Sequence, residues 1–554
     1  MNPGNPLIVQ SDRSVLVEVD NPLYEQARDQ LAQFAELEKS PEHIHTYRIS
    51  PLSIWNATAA GMTAGQIIAA LDRFSKFAVP ANLSQEIAEY AGRYGRLVLE
   101  RTAGALNLRA TDALLARQLA RHPKVLPLVE AHTDALTFRV AEKYRGEIKR
   151  VLTQLGFPVK DIAGYVAGTP FAISLRATTA GGAPFSLRTY QRDAADNFYQ
   201  GGGVEGGCGV VVLPCGAGKT IVGMAVMARV KTHTLILSAN ITALRQWRDE
   251  LLDKTTLAPG DIAEYSGETK GIAPITLATY QILTYRPDKN EEVFPHFDLF
   301  GKRDWGLIVY DEVHLLPAPV FRITSDLQAR RRLGLTATLI REDGKESDVF
   351  SLIGPKRYDM PWKELEAQQW LAQASCTEIR IPLSENDRLD YAVAGDRVRF
   401  RIASENQAKH AVIRSLLDTH KGDRILIIGQ YLTQLRALAK ELGAPLITGQ
   451  TPQGAREELY GRFRRGEITT LIVSRVGNFA VDLPDANVAI QISGTFGSRQ
   501  EEAQRLGRIL RPKPGANQAH FYTLVSHDTS EQEFAMKRQL FLTEQGYSYE
   551  IVNV

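Results

Sequence analysis

The chain has 554 residues, of which 44% are hydrophobic and 23% are charged, a composition typical of globular proteins with several domains. Its formal net charge of +2 excludes a polycation that binds nucleic acid through its overall field, so such binding would need a local basic groove. The three cysteines form no Cys-x-x-Cys pair, which argues against an iron–sulfur cluster or structural disulfides and for a reducing compartment.

The sequence shows no targeting or membrane signal. The first thirteen residues lack the apolar core of a secretory signal peptide. No apolar run approaches the ~20 residues that a membrane span needs. We therefore expect a cytoplasmic protein without a membrane partner.

The N-terminal third mixes helix and strand patterns and carries no phosphate-binding or metal-binding motif. Alternating apolar residues predict a strand at 15–19, and helical periodicity predicts helices at 63–77 and 84–102. A segment rich in Thr, Ala and Gly at 177–184 follows and is the clearest candidate domain boundary.

Beyond this boundary, apolar strands alternate with amphipathic helices, which is typical of parallel α/β sheets. Two such series predict two α/β domains in tandem. The candidate strands are 209–213, 234–237, 275–278, 307–310 and 332–336 in the first series, and 424–428, 470–474, 488–492 and 520–525 in the second.

The most informative segment is 213–220, which reads Leu-Pro-Cys-Gly-Ala-Gly-Lys-Thr between a predicted strand and a predicted helix. Its glycines let the backbone turn tightly, so that N–H groups at the helix start point at a phosphate. Lys219 can reach the β- and γ-phosphates of ATP, and the Thr220 hydroxyl can ligate Mg²⁺. The residues predicted to bind ATP here are Gly216, Ala217, Gly218, Lys219 and Thr220.

A second motif, Asp-Glu-Val-His at 311–314, follows the predicted strand at 307–310. Carboxylates at the carboxyl end of a parallel strand lie where such sheets bind ligands. Asp311 can hold Mg²⁺ through its water shell, and Glu312 can activate the water that attacks the γ-phosphate. A charged turn after a core strand would be the better interpretation if the phosphate loop were absent.

Two threonines, Thr336 and Thr338, end the next predicted strand. In this order after the carboxylates, and together with His314, they indicate an element that couples the nucleotide state to domain closure. The charged turn that follows, Arg-Glu-Asp at 341–343, is open to the interpretation of an exposed loop.

The last strong signal lies at 498–511, where Gln504, Arg508 and Arg511 fall on nearby turns of a predicted helix. Arg508 and Arg511 are candidate arginine fingers supplied by the second α/β domain, because a planar guanidinium suits the spread charge of phosphoryl transfer. The alternative is a solvated basic face. Gly507 makes that less natural, since a glycine inside a helix costs roughly 1 kcal/mol.

In order and spacing these motifs resemble those of superfamily 2 helicases, and the match extends to the XPB family. The resemblance reaches the C-terminus and includes Pro-Leu-Ser-Ile-Trp at 51–55, so that it covers most of the chain. The segments that carry it are 213–219, 311–314, 334–343, 482–487 and 504–511.

The resemblance implies an α/β fold with two tandem RecA-like parallel-sheet helicase domains after an N-terminal mixed α/β region. It places a mainly helical region at 1–130 and a small α/β module similar to a damage-recognition domain at 131–180. The first RecA-like domain, which binds ATP, would span 181–365, and the second, which carries the arginine fingers, would span 366–554.

XPB-like proteins are DNA-dependent ATPases with 3'-to-5' helicase or double-strand translocase activity, used in excision repair. Carried over by motif, Arg188 and Gln191 would contact the adenine end of ATP. Asp482 would lie near the ribose or the γ-phosphate, and Gln504 would complete the ATP-binding set.

The resemblance also implies the DNA contacts and the partners. Arg341, Glu342 and Asp343 would lie near the DNA fork and assist strand separation. The region at 385–403, where the family carries a DNA-gripping thumb, is short here, and the chain has no long charged C-terminal tail. These features indicate a bacterial or archaeal type, associated with the nucleoid, for which a nuclease is a candidate partner.

Two other functions stay open. An RNA-directed ATPase is one, because the Asp-Glu-x-His box also occurs among RNA helicases. The other is an ATP-switched scaffold that opens or anneals DNA, or recruits a nuclease, without translocating. The role of Trp247 is open too, since it could stack on a base or lie in the core.

Overall fold

The computed structural model describes residues 2–40, 43–214, 216–287, 294–316, 320, 327, 330–337, 346–474, 486–493, 517–544, 547 and 549–554. They form two compact units. The first comprises Met1–Glu36, Tyr47–Leu213 and Gly218–Met360, and the second comprises Leu37–Thr46, Pro214–Ala217 and Pro361–Val554.

The chain begins with short strands and helices, of which β1 and β2 pair antiparallel. The elements are β1 (Leu7–Val9), β2 (Ser14–Glu18), α1 (Tyr24–Leu31), β3 (Glu36–Lys39), β4 (Ile44–Arg48), α2 (Pro51–Ala59), α3 (Ala64–Phe74) and α4 (Ala81–Arg93). The strand predicted at 15–19 and the helix predicted at 63–77 are confirmed. The helix predicted at 84–102 is wrong beyond Arg93. Gly95, with a φ of +85°, turns the chain, and the apolar run after it forms a strand.

A five-stranded sheet with two helices follows. Its elements are β5 (Leu97–Thr102), β6 (Ala105–Ala110), α5 (Ala113–Ala120), β7 (Val129–His132), β8 (Thr137–Val140), α6 (Arg145–Gln154) and β9 (Val159–Asp161). The strand order is β7-β8-β6-β5-β9. The buried leucines of β5 and β6 pack with α5 and α6 in one core. The sheet takes strands from both sides of residue 130, so the boundary expected there is crossed by backbone pairing.

The remainder of the first unit is a parallel α/β domain. Its elements are α7 (Thr189–Tyr199), β10 (Cys208–Val212), α8 (Lys219–Val230), β11 (Thr234–Ser238), α9 (Ile241–Lys254), β12 (Ile262–Tyr265), β13 (Ile275–Thr279), α10 (Tyr280–Leu283), β14 (Leu307–Asp311), β15 (Arg331–Thr336), α11 (Glu346–Leu352) and β16 (Lys356–Asp359). The seven strands pair in parallel in the order β12-β13-β11-β14-β15-β10-β16. Strands β10, β11, β13 and β14 are almost wholly buried, as near-continuous apolar runs require.

The second unit contains another seven-stranded parallel sheet, in the order β19-β20-β18-β21-β22-β17-β23. Its elements are α12 (Trp362–Ala367), β17 (Gln373–Ile381), α13 (Glu385–Val393), α14 (Asp396–Ser404), α15 (Ala408–Thr419), β18 (Ile425–Gly429), α16 (Leu432–Leu442), β19 (Leu446–Ile447), α17 (Gln453–Arg464), β20 (Thr470–Ser474), β21 (Val488–Gln491), β22 (Gln518–Ser526), α18 (Ser530–Glu544) and β23 (Tyr549–Asn553). The predicted fold class is confirmed. Within the described ranges, no helix is long and apolar enough to cross a membrane.

One buried ion pair fastens two helices of the second unit. Lys409 in α15 and Glu531 in α18 are 0% and 2% exposed, and their Nζ and Oε2 atoms are 2.8 Å apart. Lys409 also donates to the Ile492 carbonyl at 2.9 Å, and Glu531 accepts from the Ser526 backbone N–H at 2.9 Å. Burial lowers the pKa of Lys409, while the carboxylate opposes that shift. The attraction between the two charges offsets the free-energy cost of burying them, and this offset is lost if either charge is removed.

Glu531→Gln should destabilise the second unit by about 3 kcal/mol, because it keeps the side-chain volume but leaves the Lys409 ammonium buried without a countercharge. The measurement is urea or thermal unfolding of the full chain. Arg401→Ala is the matched control. It breaks the ion pair between the exposed Arg401 side chain and Glu405, just after α14, and should cost less than about 0.5 kcal/mol. Equal losses in the two variants would contradict a structural role for the buried pair.

Candidate nucleotide site

The phosphate loop joins β10 to α8 and depends on glycine at two positions. Gly216 and Gly218 have φ of +83° and +84°, a backbone conformation that residues with a Cβ rarely adopt. Gly218 is also the N-terminal cap of α8. A Cβ atom added to Gly218 would lie 2.6 Å from Gln191 Nε2, so a side chain there would collide as well as strain the turn.

The start of α7 brings Gln191 to this loop. The Gln191 side chain is buried, and its Oε1 accepts a hydrogen bond from the Arg188 backbone N–H at 3.1 Å. The Arg188 guanidinium donates from Nη1 to the Tyr190 hydroxyl at 3.1 Å. The proximity to Gly218 is compatible with the predicted contact of Arg188 and Gln191 with the nucleotide, and that role stays a prediction.

Asp311 ends β14 and is held by three side chains that the sequence motifs did not identify. Its Oδ2 accepts from Ser238 Oγ at 3.1 Å and from Trp247 Nε1 at 3.0 Å, and its carbonyl accepts from the Tyr280 hydroxyl at 2.9 Å. Burial, and then the neighbouring Glu312 charge, raise the pKa of Asp311 to about 6. The carboxylate is therefore fixed in position but short of positive charge.

Trp247 belongs to the core and does not stack on a base. Its side chain is buried and its indole N–H is committed to Asp311. Helix α8 passes so close to the ring that a Cβ on Gly223 would lie 2.5 Å from Trp247 Cη2. The base-stacking interpretation is thus wrong, because both the face and the polar atom of the indole are used inside the domain.

Lys219 and Glu312 form an ion pair in the site. Lys219 Nζ lies 3.0 Å from Glu312 Oε1, and the two side chains are 11% and 20% exposed. Glu312 has a left-handed backbone with a φ of +50°, which is unusual for a residue with a Cβ. The strand end is therefore shaped to turn this carboxylate toward the phosphate loop.

His314 joins this motif to the neighbouring strand β15. Its Nδ1 is 2.7 Å from Thr336 Oγ1 and 3.5 Å from Glu312 Oε2. Thr336 also accepts a hydrogen bond at its carbonyl from the Leu213 backbone N–H, at 3.0 Å, where the phosphate loop begins. One residue of β15 thus contacts both nucleotide motifs, as an element that transmits a change between them would need to do.

The other predicted site residues lie outside the described residues and stay predictions. They are Thr338, Arg341, Glu342, Asp343, Asp482, Gln504, Arg508 and Arg511.

The donor set near the loop fits a magnesium ion that is completed by phosphate oxygens and water. Asp311 Oδ1 and the Thr220 hydroxyl take part in no hydrogen bond with other described residues. No group of three metal-ligating side chains was found in the described part of the chain. Mg²⁺ needs no such group, because it is usually held by one or two protein oxygens together with the substrate's phosphates.

Three family models match the chain. They are described as ERCC3/RAD25/XPB C-terminal helicase over residues 365–554, type III restriction enzyme res subunit over 184–341, and helicase conserved C-terminal domain over 7–134.

Curated relatives match over nearly the full chain. The "DNA 3'-5' helicase XPB" of Kineococcus radiotolerans is 53% identical and covers 99% of this chain and 96% of its own length. The protein of the same name from Mycobacterium tuberculosis is also 53% identical, over 98% and 97% of the two chains. A general transcription and DNA repair factor IIH helicase/translocase subunit of Saccharomyces cerevisiae is 31% identical over 98% of this chain and 72% of its own. Because it is 53% identical over nearly the full length to two proteins named DNA 3'-5' helicase XPB, the chain belongs to the XPB family of helicases.

Proposed function

We propose that this protein is an ATP-dependent DNA helicase or translocase that moves 3'-to-5' and hydrolyses ATP in response to DNA. The observation that carries the proposal is the arrangement of Lys219, Asp311 and Glu312 at one edge of the first parallel sheet. The relatives that are 53% identical over nearly the full length are named DNA 3'-5' helicase XPB. A role in nucleotide excision repair is the finer part of the proposal.

The ion pair between Lys219 and Glu312 gives the first step of the mechanism. The β- and γ-phosphates of ATP attract the Lys219 ammonium, so nucleotide binding competes with Glu312 for the same cation. Once Lys219 turns to the phosphates, the Glu312 carboxylate is released as an acceptor for the proton of the attacking water. Binding therefore prepares the general base.

Thr220 and Asp311 would hold Mg²⁺ beside the phosphates. The bound ion would neutralise developing charge on the phosphate oxygens. For the protein, the consequence is local: a divalent charge beside Asp311 offsets the desolvation that otherwise disfavours its ionised form. Ser238 and Trp247 keep the carboxylate oriented while this occurs.

Loss of the γ-phosphate would then change the contacts at the end of β15. Glu312 lies close to His314, and His314 is joined to Thr336, so that a movement of Glu312 changes the surroundings of the strand end. We propose that this path, with Thr338, couples hydrolysis to movement of the DNA. Arg341, Glu342 and Asp343 would assist strand separation.

Other parts of the proposal follow from the family and the motifs. The substrate would be single-stranded DNA or a duplex junction, a separate nuclease is a candidate partner, and the protein would act at the nucleoid in the cytoplasm. A scaffold that opens or anneals DNA without translocating is the second candidate. The shortness of the region at 385–403, the position of the family's thumb, favours it.

ATP hydrolysis should be stimulated strongly by DNA and not by RNA, because family membership points to a DNA motor. The measurement compares purified protein alone and with single-stranded DNA, duplex DNA or RNA. A displacement assay on tailed duplexes then separates the two candidates. Unwinding that requires a 3' DNA tail supports the helicase, whereas hydrolysis without displacement supports the scaffold. Stimulation by RNA would overturn the proposed substrate.

Glu312→Gln should reduce ATP turnover by at least about a hundredfold, because the amide cannot accept the proton of the attacking water. It should keep or strengthen ATP binding, because it also removes the carboxylate that competes for Lys219. Lys219→Ala is the matched comparison and should lose both binding and hydrolysis. Turnover and nucleotide affinity are measured for both, and weak ATP binding by the Glu312→Gln variant would refute the competition.

Arg511→Ala should spare ATP binding and slow turnover severely, by about 10³-fold or more if Arg511 is an arginine finger. Its guanidinium would stabilise charge that develops only in the transition state, so affinity for the ground state should change little. Nucleotide titration and steady-state hydrolysis give the two numbers. Unchanged turnover would reduce Arg511 to a structural residue.

A further inference from the structure

Apart from the nucleotide site, the first unit contains a cavity of about 250 Å³, which is lined by residues that the nucleotide site does not use. Its wall combines the end of helix α2, the five-stranded sheet with α6, and the edge of the parallel sheet at β10 and β16. The Lys356 backbone N–H donates to Asn56 Oδ1 at 3.1 Å beside it, which joins β16 to α2. The cavity therefore lies where three parts of one compact unit meet.

Positive charge exceeds negative charge around this cavity. Lys149, Lys160 and Arg357 line it, against the carboxylates of Asp161 and Glu205. Two further buried cations lie behind this wall, since Arg145 is paired to Asp161 at 2.8 Å and Arg332 acts on the pKa of Lys149. Buried charges are costly unless they are neutralised. Three of the five cations, Arg145, Lys149 and Arg332, are buried, and the Asp161 carboxylate is their buried countercharge, which leaves a positive excess that an anion would balance.

Asp161 is already fully engaged. It accepts from Arg145 Nε and Nη2 and from Lys149 Nζ, at 2.8 to 3.1 Å. Burial alone would raise the pKa of Asp161, but the charges of Lys149 and Arg145 outweigh it and hold the pKa well below its usual value. One carboxylate thus serves two buried cations. The other carboxylate of the cavity, Glu205, is 59% exposed at the rim and is already paired with Lys160.

Arg357 is the cation best placed to receive a ligand. Its hydrogen bonds go to backbone carbonyls, from Nε to Cys208 at 2.9 Å and from Nη2 to Glu205. No carboxylate of the described residues lies within ion-pair distance of it. Its stem is fixed by close packing, because a Cβ on Gly209, whose φ is +142°, would collide with Arg357 Cγ. The guanidinium is therefore held in one orientation before any ligand arrives, which lowers the entropy cost of binding.

Tyr94 adds a neutral donor to the same cavity. Burial raises the pKa of its hydroxyl to about 12, so the group stays protonated at neutral pH. The hydroxyl makes no hydrogen bond to any residue that the structure describes. A donor that faces a cationic cavity without an acceptor suits an oxyanion.

We propose that this cavity binds a small phosphate-class anion, inorganic phosphate or a compact phosphomonoester, held by Arg357, Lys149 and the Tyr94 hydroxyl. The chemistry would also suit a phosphodiester of a polynucleotide. The small volume of the cavity favours the free anion, because a polynucleotide strand continues on both sides of each phosphodiester and would need two exits. Bound there, the anion would tie α2, the five-stranded sheet and β16 together.

The test uses the full-length protein in a Lys219→Ala background, which removes the phosphate loop as a competing site. Equilibrium dialysis with radiolabelled inorganic phosphate should give one site per chain. Arg357→Gln should weaken it by about tenfold, because it removes a charged donor. Glu205→Gln should tighten it by about threefold, because it removes opposing charge at the rim. Glu268→Gln, an exposed carboxylate that pairs with Arg245, is the control and should change nothing.

The gain expected for Glu205→Gln cannot come from misfolding, so it protects the test against a destabilised Arg357 variant. Parallel arms with pyrophosphate and with a short oligothymidylate separate the sources. Preference for the free anion supports the proposal, and binding of the oligonucleotide alone overturns it. Absence of a saturable site, or binding that neither Arg357→Gln nor Glu205→Gln alters, also overturns it. ATP hydrolysis is measured separately on the protein with Lys219 intact, so a failure here leaves the nucleotide site untouched.

Discussion

The position of strand β15 between β10 and β14 is the constraint on which the first α/β domain depends. Because all three run parallel, their carboxyl ends lie at one edge of the sheet. That edge receives the phosphate loop from β10 and the carboxylates from β14. Thr336 ends the middle strand, β15, and therefore lies next to both the phosphate loop and the carboxylates. Its hydrogen bonds to His314 and Leu213 follow from this position in the strand order.

The same edge concentrates charge that the domain alone balances poorly. Asp311 loses solvent and faces the Glu312 charge, and its raised pKa is the result. Lys219 forms an ion pair with the Glu312 carboxylate. The Asp311 carboxylate instead accepts hydrogen bonds from the neutral groups of Ser238 and Trp247. In the proposed mechanism, a nucleotide would bring phosphate charge to Lys219, and Mg²⁺ would lie beside Asp311. The charge imbalance among these residues would then be removed on binding, which would favour a polyphosphate ligand.

The parts that could be predicted from sequence are those fixed by short-range chemistry. The phosphate loop is set by Gly216 and Gly218, whose backbone conformation is visible in the residue type, and buried parallel strands are visible as apolar runs. The support of Asp311 could not be predicted, because Trp247 lies 64 positions away along the chain and only the packing of α9 brings it near. The helix predicted through residue 102 failed because the run Leu97–Leu99 suits a buried helix and a buried strand equally.

Two buried charge clusters outside the nucleotide site show how this protein treats desolvated ions. In the second unit, the Lys409 ammonium forms an ion pair with the Glu531 carboxylate, and each group also makes a hydrogen bond to the backbone. The charges of this pair are therefore balanced, and its role is structural. In the first unit, Asp161 is shared by Arg145 and Lys149 while Arg357 meets only carbonyls. A purely structural cluster would not need Arg357 as a further cation, since removing a charge even partly from water costs free energy. Retaining one that is oriented by close packing against Gly209 is what a binding function requires, and it is the physical reason to look for an anion there.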